Sequence, residues 1–202
     1  MKIFYQGSPG AFSHLAALEN YPKADINPCK TFDECFSKAM ENENVKIIIP
    51  ESNRITGNIG IEYLIFKHRL NIYAEHFHRI EHNLLGVQGS KIKDIKEVFS
   101  HAQALSQCSN FIKKNNMIEN VNADTAGSAK LVSQEKSKQK GAIASKLSAK
   151  IYNLEVLKSN IENEKGNITR FLIMGKSINQ PEMKKQKYIT SFLFKLKSKP
   201  AA

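Results

Sequence analysis

Apolar residues recur along the chain with two different periods, and each change of period marks the border of a predicted element. Short apolar runs closed by glycine or proline predict strands at KIFYQG, at VKIIIP (45–50) and at FLIM (171–174). Apolar side chains at helical spacing predict helices in SPGAFSHLAALENY and in TFDECFSKAMEN, the second with Thr31 as N-cap. Because VKIIIP is continuously apolar, we expect it to be buried on both faces, which favours a parallel sheet.

A second series of elements follows the long alternating stretch LNIYAEHFHRIEHNLLGV. It reads as strand EVFS, helix AQALSQCSNFIKKN, strand IENVNA, helix AGSAKLVSQ capped by Thr125, strand GAIAS and helix KLSAKIYNL. Two series of alternating strands and helices predict an α/β protein of two lobes. We expect the first lobe at about 1–77 plus 168–176 and the second at about 78–167.

Composition places the chain among soluble globular proteins: 41% of its 202 residues are hydrophobic and 24% are charged. No apolar run reaches the roughly 20 residues that span a bilayer, so we expect no membrane partner. The N-terminal segment breaks at Gly7 before a signal-peptide apolar region develops, which favours a cytoplasmic protein. Its three cysteines, Cys29, Cys35 and Cys108, form no CxxC pair and read as reduced, structural thiols.

The net charge of +11 raises the possibility of a nucleic-acid partner. Seven lysines and one glutamate follow Gly175, so +6 of that charge belongs to the tail and +5 to the rest. The rest carries no basic stripe interleaved with aromatic residues. We therefore expect no nucleic-acid partner, and the charge suits a small anionic metabolite or simple solubility.

Two polar segments stand next to predicted strands. Asn167, Thr169 and Arg170 lie at the entrance of FLIM, where a purely structural strand needs no hydrogen-bonding groups; the alternative is a loop that happens to be polar. Near the N-terminus, a Gly-Pro-Gly loop containing Gly10 precedes a helix start with the Ser13 hydroxyl. Such a helix N-terminus suits a carboxylate or phosphate, although the pattern taken alone favours a plain capped helix.

VFSHAQALSQC repeats this arrangement in the second series. Ser100 follows a strand and is a candidate cap, and Gln107 lies two turns into the helix. Since the two residues are seven apart, we expect both to face one side. In α/β lobes, ligands collect at the carboxyl ends of the strands, where Ser13 and Ser100 are both expected.

Three histidines in EHFHRIEH suggest a metal site, because His76 and His78 share a strand face and His82 follows. No cysteine is near, and no acidic residue stands at a recognisable zinc spacing. We therefore expect an interlobe strand with surface histidines and no metal. No GxSxG, HExxH or GxGxxG motif occurs, which leaves hydroxyls, amides and an arginine for the chemistry.

Taken together, these stretches resemble the prephenate dehydratase family from residue 2 to about residue 175. YQGSPGAFSHLAAL is similar to the family's opening glycine-rich motif, and SHAQALSQC is similar to its Ser-His-Pro…Gln-Cys motif. NITRF resembles its Asn-x-Thr-Arg-Phe signature. The resemblance implies two α/β lobes with a hinge, similar to type II periplasmic binding proteins. It also implies a reaction in the cleft that converts prephenate to phenylpyruvate, carbon dioxide and water without metal or cofactor.

The resemblance also implies roles for individual residues. Thr169 matches the essential threonine, which we expect to hydrogen-bond the departing hydroxyl. Arg170 would place a carboxylate, or form a structural ion pair. The remaining expected catalytic residues are Ser100, Gln107 and Asn53, and the expected substrate-binding residues are Ser13, Arg170, Phe171, Asn167 and Gly10. The other readings are an arogenate dehydratase and a catalytically weakened, ligand-binding relative. A homo-oligomer, either dimer or tetramer, is expected.

The chain departs from the family pattern in the segment PESNRITG. Asn53 keeps its place, but Ser52 stands where the family has glutamate and Arg54 where it has serine. Glu51 supplies that carboxylate only if the loop slips by one residue. Ala102 replaces the proline of the second motif. After a linker expected at 177–187, residues 188–202 resemble the first strand of a truncated ACT regulatory domain.

Overall fold

Two β-sheets flanked by helices divide the chain into two lobes, which confirms the predicted fold class. The computed structural model describes residues 1–176; the expected linker (177–187) and the expected ACT strand (188–202) lie outside these residues. No helix within residues 1–176 is both long and apolar enough to cross a bilayer.

The first lobe holds the N-terminal elements and the last strand of the described chain. Its elements are β1 (Lys2–Gln6), α1 (Phe12–Asn20), β2 (Asp25–Cys29), α2 (Phe32–Glu41), β3 (Val45–Asn53), β4 (Gly57–Asn58), α3 (Glu62–His68), β5 (Asn71–Arg79) and, after the second lobe, β11 (Ile168–Gly175). The second lobe contains β6 (Asn83–Gly86), a 3₁₀ turn (Ile92–Asp94), β7 (Glu97–Ser100), α4 (Ala102–Gln107), α5 (Ser109–Lys114), β8 (Ile118–Val121), α6 (Thr125–Glu135), β9 (Lys140–Ala144), α7 (Lys146–Ile151) and β10 (Glu155–Lys158).

The first sheet has the order β2-β1-β3-β11-β5, with β4 beside β3. β1 is parallel to β2 and β3, whereas β11 is antiparallel to both β3 and β5. β3, which contains the segment VKIIIP, therefore has the expected parallel neighbour on one side only. Its isoleucines Ile47, Ile48 and Ile49 are fully buried, as expected for a strand covered on both faces.

The second sheet has the order β10-β6-β9-β7-β8. β7 is parallel to β8 and β9, and β6 is antiparallel to β9 and β10. Each lobe has an apolar core on both sides of its sheet. Cys29, Cys35 and Cys108 are buried within these cores and form no disulfide. Burial raises the pKa of each thiol, which suits the structural role predicted for them.

Local details differ from the prediction in several places. The helix expected over 102–115 is interrupted at Cys108, which separates α4 from α5. Thr125 is not the cap of α6: the preceding Asp124 accepts a hydrogen bond from the Gly127 amide at 2.6 Å. Thr31 does cap α2, through the Glu34 amide. Strands β2 and β10 and helix α3 were missed because they are short and lack a clear apolar period.

The loop between β1 and α1 connects the first lobe to the second through hydrogen bonds. Gly10 has a φ of +95°, and its carbonyl accepts hydrogen bonds from the hydroxyls of Ser145 (2.6 Å) and Ser148 (3.0 Å) on the other lobe. The same loop makes two further interlobe hydrogen bonds, from Tyr152 to the Pro9 carbonyl at 2.8 Å and from Ser8 to Asp124 at 3.1 Å. A residue without a side chain is needed at Gly10, because a Cβ there would lie 2.5 Å from Ser148 Oγ and 2.8 Å from Ser148 Cα.

We expect Gly10→Ala to destabilise the protein more than Gly57→Ala. Gly57 also has a positive φ (+80°) but faces open space. Its substitution therefore costs only the strain of placing alanine in a left-handed backbone conformation, about 1–2 kcal/mol. Gly10→Ala adds the overlap with Ser148, which we expect to cost roughly 1–3 kcal/mol more. Urea unfolding of both variants measures the difference. Equal losses would show that the lobes do not depend on this close approach.

Candidate active site

A cavity of about 470 Å³ lies where the two lobes face each other. It sits at the carboxyl ends of strands from both sheets, as ligand sites of α/β proteins do. Gln6 and Asn53 end β1 and β3 at its wall, and His101 and Ala123 follow β7 and β8.

Asn53 is the centre of the polar wall of this cavity. Its side-chain oxygen accepts hydrogen bonds from the backbone amides of Ile55 (2.9 Å) and Thr56 (3.1 Å) in the turn that follows β3. Since those two donors fix the orientation of the amide group, its NH₂ must face β11. There it donates to Asn167 Oδ1 at 2.7 Å and to Thr169 Oγ1 at 2.8 Å.

The orientation of Asn53 sets the direction of the next hydrogen bonds. Asn167 accepts from Asn53, so its NH₂ donates to Gln107 Oε1, at 2.8 Å. His82 Nε2 lies 2.9 Å from the same oxygen and must therefore carry a proton. His82 is 3% exposed, and burial lowers the pKa of its imidazole, so the ring is neutral. Because Nε2 carries the proton, Nδ1 is unprotonated and can only accept a hydrogen bond. Nδ1 has no hydrogen-bond partner within residues 1–176.

The same network determines what the Thr169 hydroxyl does. Its oxygen accepts from Asn53, and among the described residues its own proton meets no acceptor. Thr169 is 6% exposed and lines the cavity. The hydroxyl is therefore a positioned hydrogen-bond donor for a group inside the cavity.

No lysine or arginine occurs among the described residues that line the cavity. Positive potential comes instead from the N-termini of α1 and α6, which reach the cavity at Phe12, Ser13 and Thr125. The backbone amides of these three residues have no acceptor among residues 1–176. Such amides bind carboxylates or phosphates, as the sequence predicted for the loop before α1.

Six of the residues predicted for the site line one cavity. They are Ser13, Asn53, Gln107, Asn167, Thr169 and Phe171. Phe171 contributes a buried aromatic ring, and the others contribute amide or hydroxyl groups.

Ser100 does not line the cavity, contrary to the prediction. It is fully buried at the end of β7, where its hydroxyl donates to the Ile143 carbonyl at 2.7 Å. His101 caps α4 in its place, by accepting a hydrogen bond from the Gln103 amide. The spacing of seven residues to Gln107 does not apply, because Ser100 belongs to the strand and not to the helix.

Arg170 and Gly10 also lie outside the cavity lining. The Arg170 guanidinium is 2.7 Å from Glu75 and 3.3 Å from Glu51, so the structural ion pair considered from the sequence is the one observed. Gly10 acts through its carbonyl, which accepts from the two serines of the second lobe. The Glu51 carboxylate does not reach the cavity either, since it contacts Arg170 and accepts a hydrogen bond from Ser52.

Sequence reasoning missed several polar residues that line the cavity, His82 and Asp124 among them. His82 was expected on the surface, but it is buried and bonded to Gln107. Asp124 caps α6 and brings the one carboxylate found among the described lining residues. The Asn-Ala-Asp-Thr segment before the α6 helix offered a capping signal for Asp124, whereas no pattern distinguished His82 from its neighbours.

Residues 3–179 match the family described as prephenate dehydratase. The chain belongs to this family. It is 41% identical over 204 residues to arogenate dehydratase/prephenate dehydratase 1, chloroplastic, from Arabidopsis thaliana, a match that covers 99% of this chain and 51% of that one. It thus spans about half the length of this plant relative.

Two bacterial proteins extend the comparison. The bifunctional N-acyl-homoserine lactone acylase/prephenate dehydratase of Komagataeibacter europaeus is 32% identical over 201 residues, which cover 99% of this chain and 72% of the relative. The solved prephenate dehydratase of Staphylococcus aureus is 26% identical, with a TM-score of 0.77 over 90% of this chain and 68% of that one. The similarity therefore extends over both lobes of this family member.

The buried, neutral state of His82 predicts how stability depends on pH. Because burial lowers its pKa, the unfolded chain binds a proton at a pH where the folded chain does not. The free energy of unfolding should therefore fall as the pH drops below about 6.5, the ordinary histidine value. In His82→Gln this part of the loss should disappear, while the contribution of His14, whose pKa burial also lowers, remains in both proteins. Urea unfolding between about pH 7 and pH 5 measures both slopes; identical slopes would contradict a buried neutral His82.

Proposed function

We propose that this chain catalyses the decarboxylative dehydration of prephenate to phenylpyruvate. The observation that carries the proposal is the Thr169 hydroxyl, which is held by Asn53 at 2.8 Å so that its proton is available to a ligand in the cavity. Membership of the prephenate dehydratase family supports the same reaction.

In the proposed reaction the bond between the ring and its carboxylate breaks, and carbon dioxide leaves. The electron pair of that bond completes the aromatic ring, while the ring hydroxyl departs from the opposite carbon with its bonding electrons and takes up a proton from the solvent to leave as water. Thr169 donates a hydrogen bond to this departing oxygen, where negative charge develops. A neutral threonine is a weak acid, so its role is directed hydrogen bonding and the gain of aromaticity drives the step.

Neutral groups hold the two carboxylates of the substrate in this proposal. The amides at the starts of α1 and α6 and the Ser13 hydroxyl are the donors for them. Because the dielectric constant beside a protein wall is lower than that of water, such fixed dipoles act more strongly there than in bulk solvent. The dimer or tetramer expected from the sequence stays a prediction.

Arogenate is the second candidate substrate, and one observation favours it. Arogenate carries an ammonium group where prephenate has a keto oxygen, and Asp124 brings a carboxylate to the cavity wall. The Arabidopsis relative, at 41% identity, bears both activities in its name. Parallel measurements of kcat/KM with prephenate and with arogenate separate the two; a ratio near one would assign both.

Thr169→Ala should lower kcat by roughly 10²–10⁴, the range for losing a positioned donor of a proton or hydrogen bond. Substrate binding should change little, because the hydrogen bond strengthens only as the hydroxyl departs. Formation of phenylpyruvate from prephenate is the assay. Thr169→Ser is the matched control, since it keeps the hydroxyl and should retain most of the rate. An alanine variant with more than about a tenth of the wild-type kcat would contradict the role.

Ser52→Glu tests the position where the family has glutamate. Neither Ser52 nor Glu51 lines the cavity, so we expect the new carboxylate to stay outside it and to leave kcat/KM within about twofold. Ser52→Gln, which has the same length without the charge, is the control. A rise of tenfold or more in Ser52→Glu alone would show instead that a missing carboxylate limits this enzyme, as expected of a weakened relative.

A further inference from the structure

Three side chains outside the cavity converge from two elements of the first lobe. His76 and His78 stand two residues apart on one face of β5, and Glu19 lies in the last turn of α1. Glu19 Oε2 is 2.8 Å from His76 Nε2 and 3.0 Å from His78 Nδ1. The three ligand atoms all lie within 4.8 Å of one another, and no other such group of three is found within residues 1–176.

This geometry is close to that of a metal site with two histidines and one carboxylate. Zinc binds imidazole nitrogen and carboxylate oxygen at about 2.0–2.2 Å in a tetrahedral arrangement, which sets neighbouring donors about 3.3 Å apart. The two distances to Glu19 would have to lengthen by a few tenths of an ångström, and the two histidine nitrogens, which lie within 4.8 Å of each other, would have to reach the same separation. Rotation of partly exposed side chains achieves such a change without moving the backbone.

The position of Glu19 in the helix is unfavourable without a cation. The C-terminal end of a helix carries a partial negative charge, which repels a carboxylate in the last turn and attracts a positive ion. α1 has no basic residue in that turn. A cation bound beside Glu19 would therefore relieve an unfavourable position of the carboxylate.

We infer that Glu19, His76 and His78 form a binding site for a divalent cation of the zinc class. Imidazole nitrogen suits zinc, nickel and copper, whereas magnesium and calcium prefer sites made of oxygen alone. The Glu19 side chain is 46% exposed, which leaves room for water as the fourth ligand. The second ring nitrogen of each histidine has no partner among the described residues, so we expect micromolar affinity, weaker than that of sites with oriented ligands.

A bound ion would connect α1 to the strand that leads into the second lobe. The His78 ring lies 6.1 Å from the ring of Phe12, which lines the cavity. The ion would therefore fix the outer side of the cavity wall without touching its polar groups. The site stands independently of the proposed reaction.

Isothermal titration of the 202-residue chain with zinc chloride tests the inference. We expect one ion per chain, and at least about tenfold weaker binding in each of Glu19→Gln, His76→Ala and His78→Ala. His68→Ala is the matched control, because it removes a histidine that lies 3.7 Å from a carboxylate, Asp33, but has no third ligand. This control should bind zinc as the wild type does.

Two further measurements distinguish zinc at this site from zinc bound elsewhere on the chain and from loss of the fold. Urea unfolding in the presence of a chelator shows whether each variant remains folded. Cobalt(II), used as a spectroscopic substitute, should give the spectrum of nitrogen and oxygen ligands; a thiolate charge-transfer band would place the metal at one or more of the free cysteines Cys29, Cys35 and Cys108. That band, the absence of zinc binding at millimolar concentration, or unchanged affinity in the three variants would overturn the inference.

Discussion

The insertion of β11 between β3 and β5 is the constraint on which the cavity depends. The chain leaves the first lobe after β5, builds the second lobe, and returns to pair antiparallel with both strands. The register sets Thr169 opposite Asn53 on one side and opposite His78 on the other. Residues 116 apart in sequence thereby meet at hydrogen-bond distance, and Asn167, just before the strand, is brought to the second lobe's Gln107.

The direction of the hydrogen bonds in the cavity follows from a single turn. Two backbone amides after β3 fix the side-chain oxygen of Asn53, and every later donor and acceptor is set from there. The proton of Thr169 is directed into the cavity, and His82 is restricted to one tautomer. A chain of neutral groups can be ordered in this way without the desolvation cost of burying ions. It also explains how a cavity lined without lysine or arginine can suit an anion, since its donors are fixed before the ligand arrives.

The sequence predicted those parts of the site that local patterns encode. NITRF supplies Asn167, Thr169 and Phe171 within one short segment, and the apolar run after it identifies β11. Strand alternation also explains the failure at Arg170: neighbouring residues of a strand point to opposite faces, so Thr169 and Phe171 share a face that Arg170 cannot. His82 and Glu19 had no such signal, because their partners lie 25 residues or more away.

The segment PESN, which departs from the family pattern, contains an irregularity of the sheet. Phe171 pairs with Pro50, but Arg170 pairs with Ser52, so Glu51 is the extra residue of a bulge in β3. A bulge re-aims the side chains around it, and here the Glu51 carboxylate lies against Arg170 while Asn53 still reaches the cavity. Arg170 pairs with both Glu51 and Glu75, so these charged groups are held outside the cavity lining. Apart from the Asp124 carboxylate, the polar side chains that line the cavity within residues 1–176 are therefore amides, hydroxyls and imidazoles.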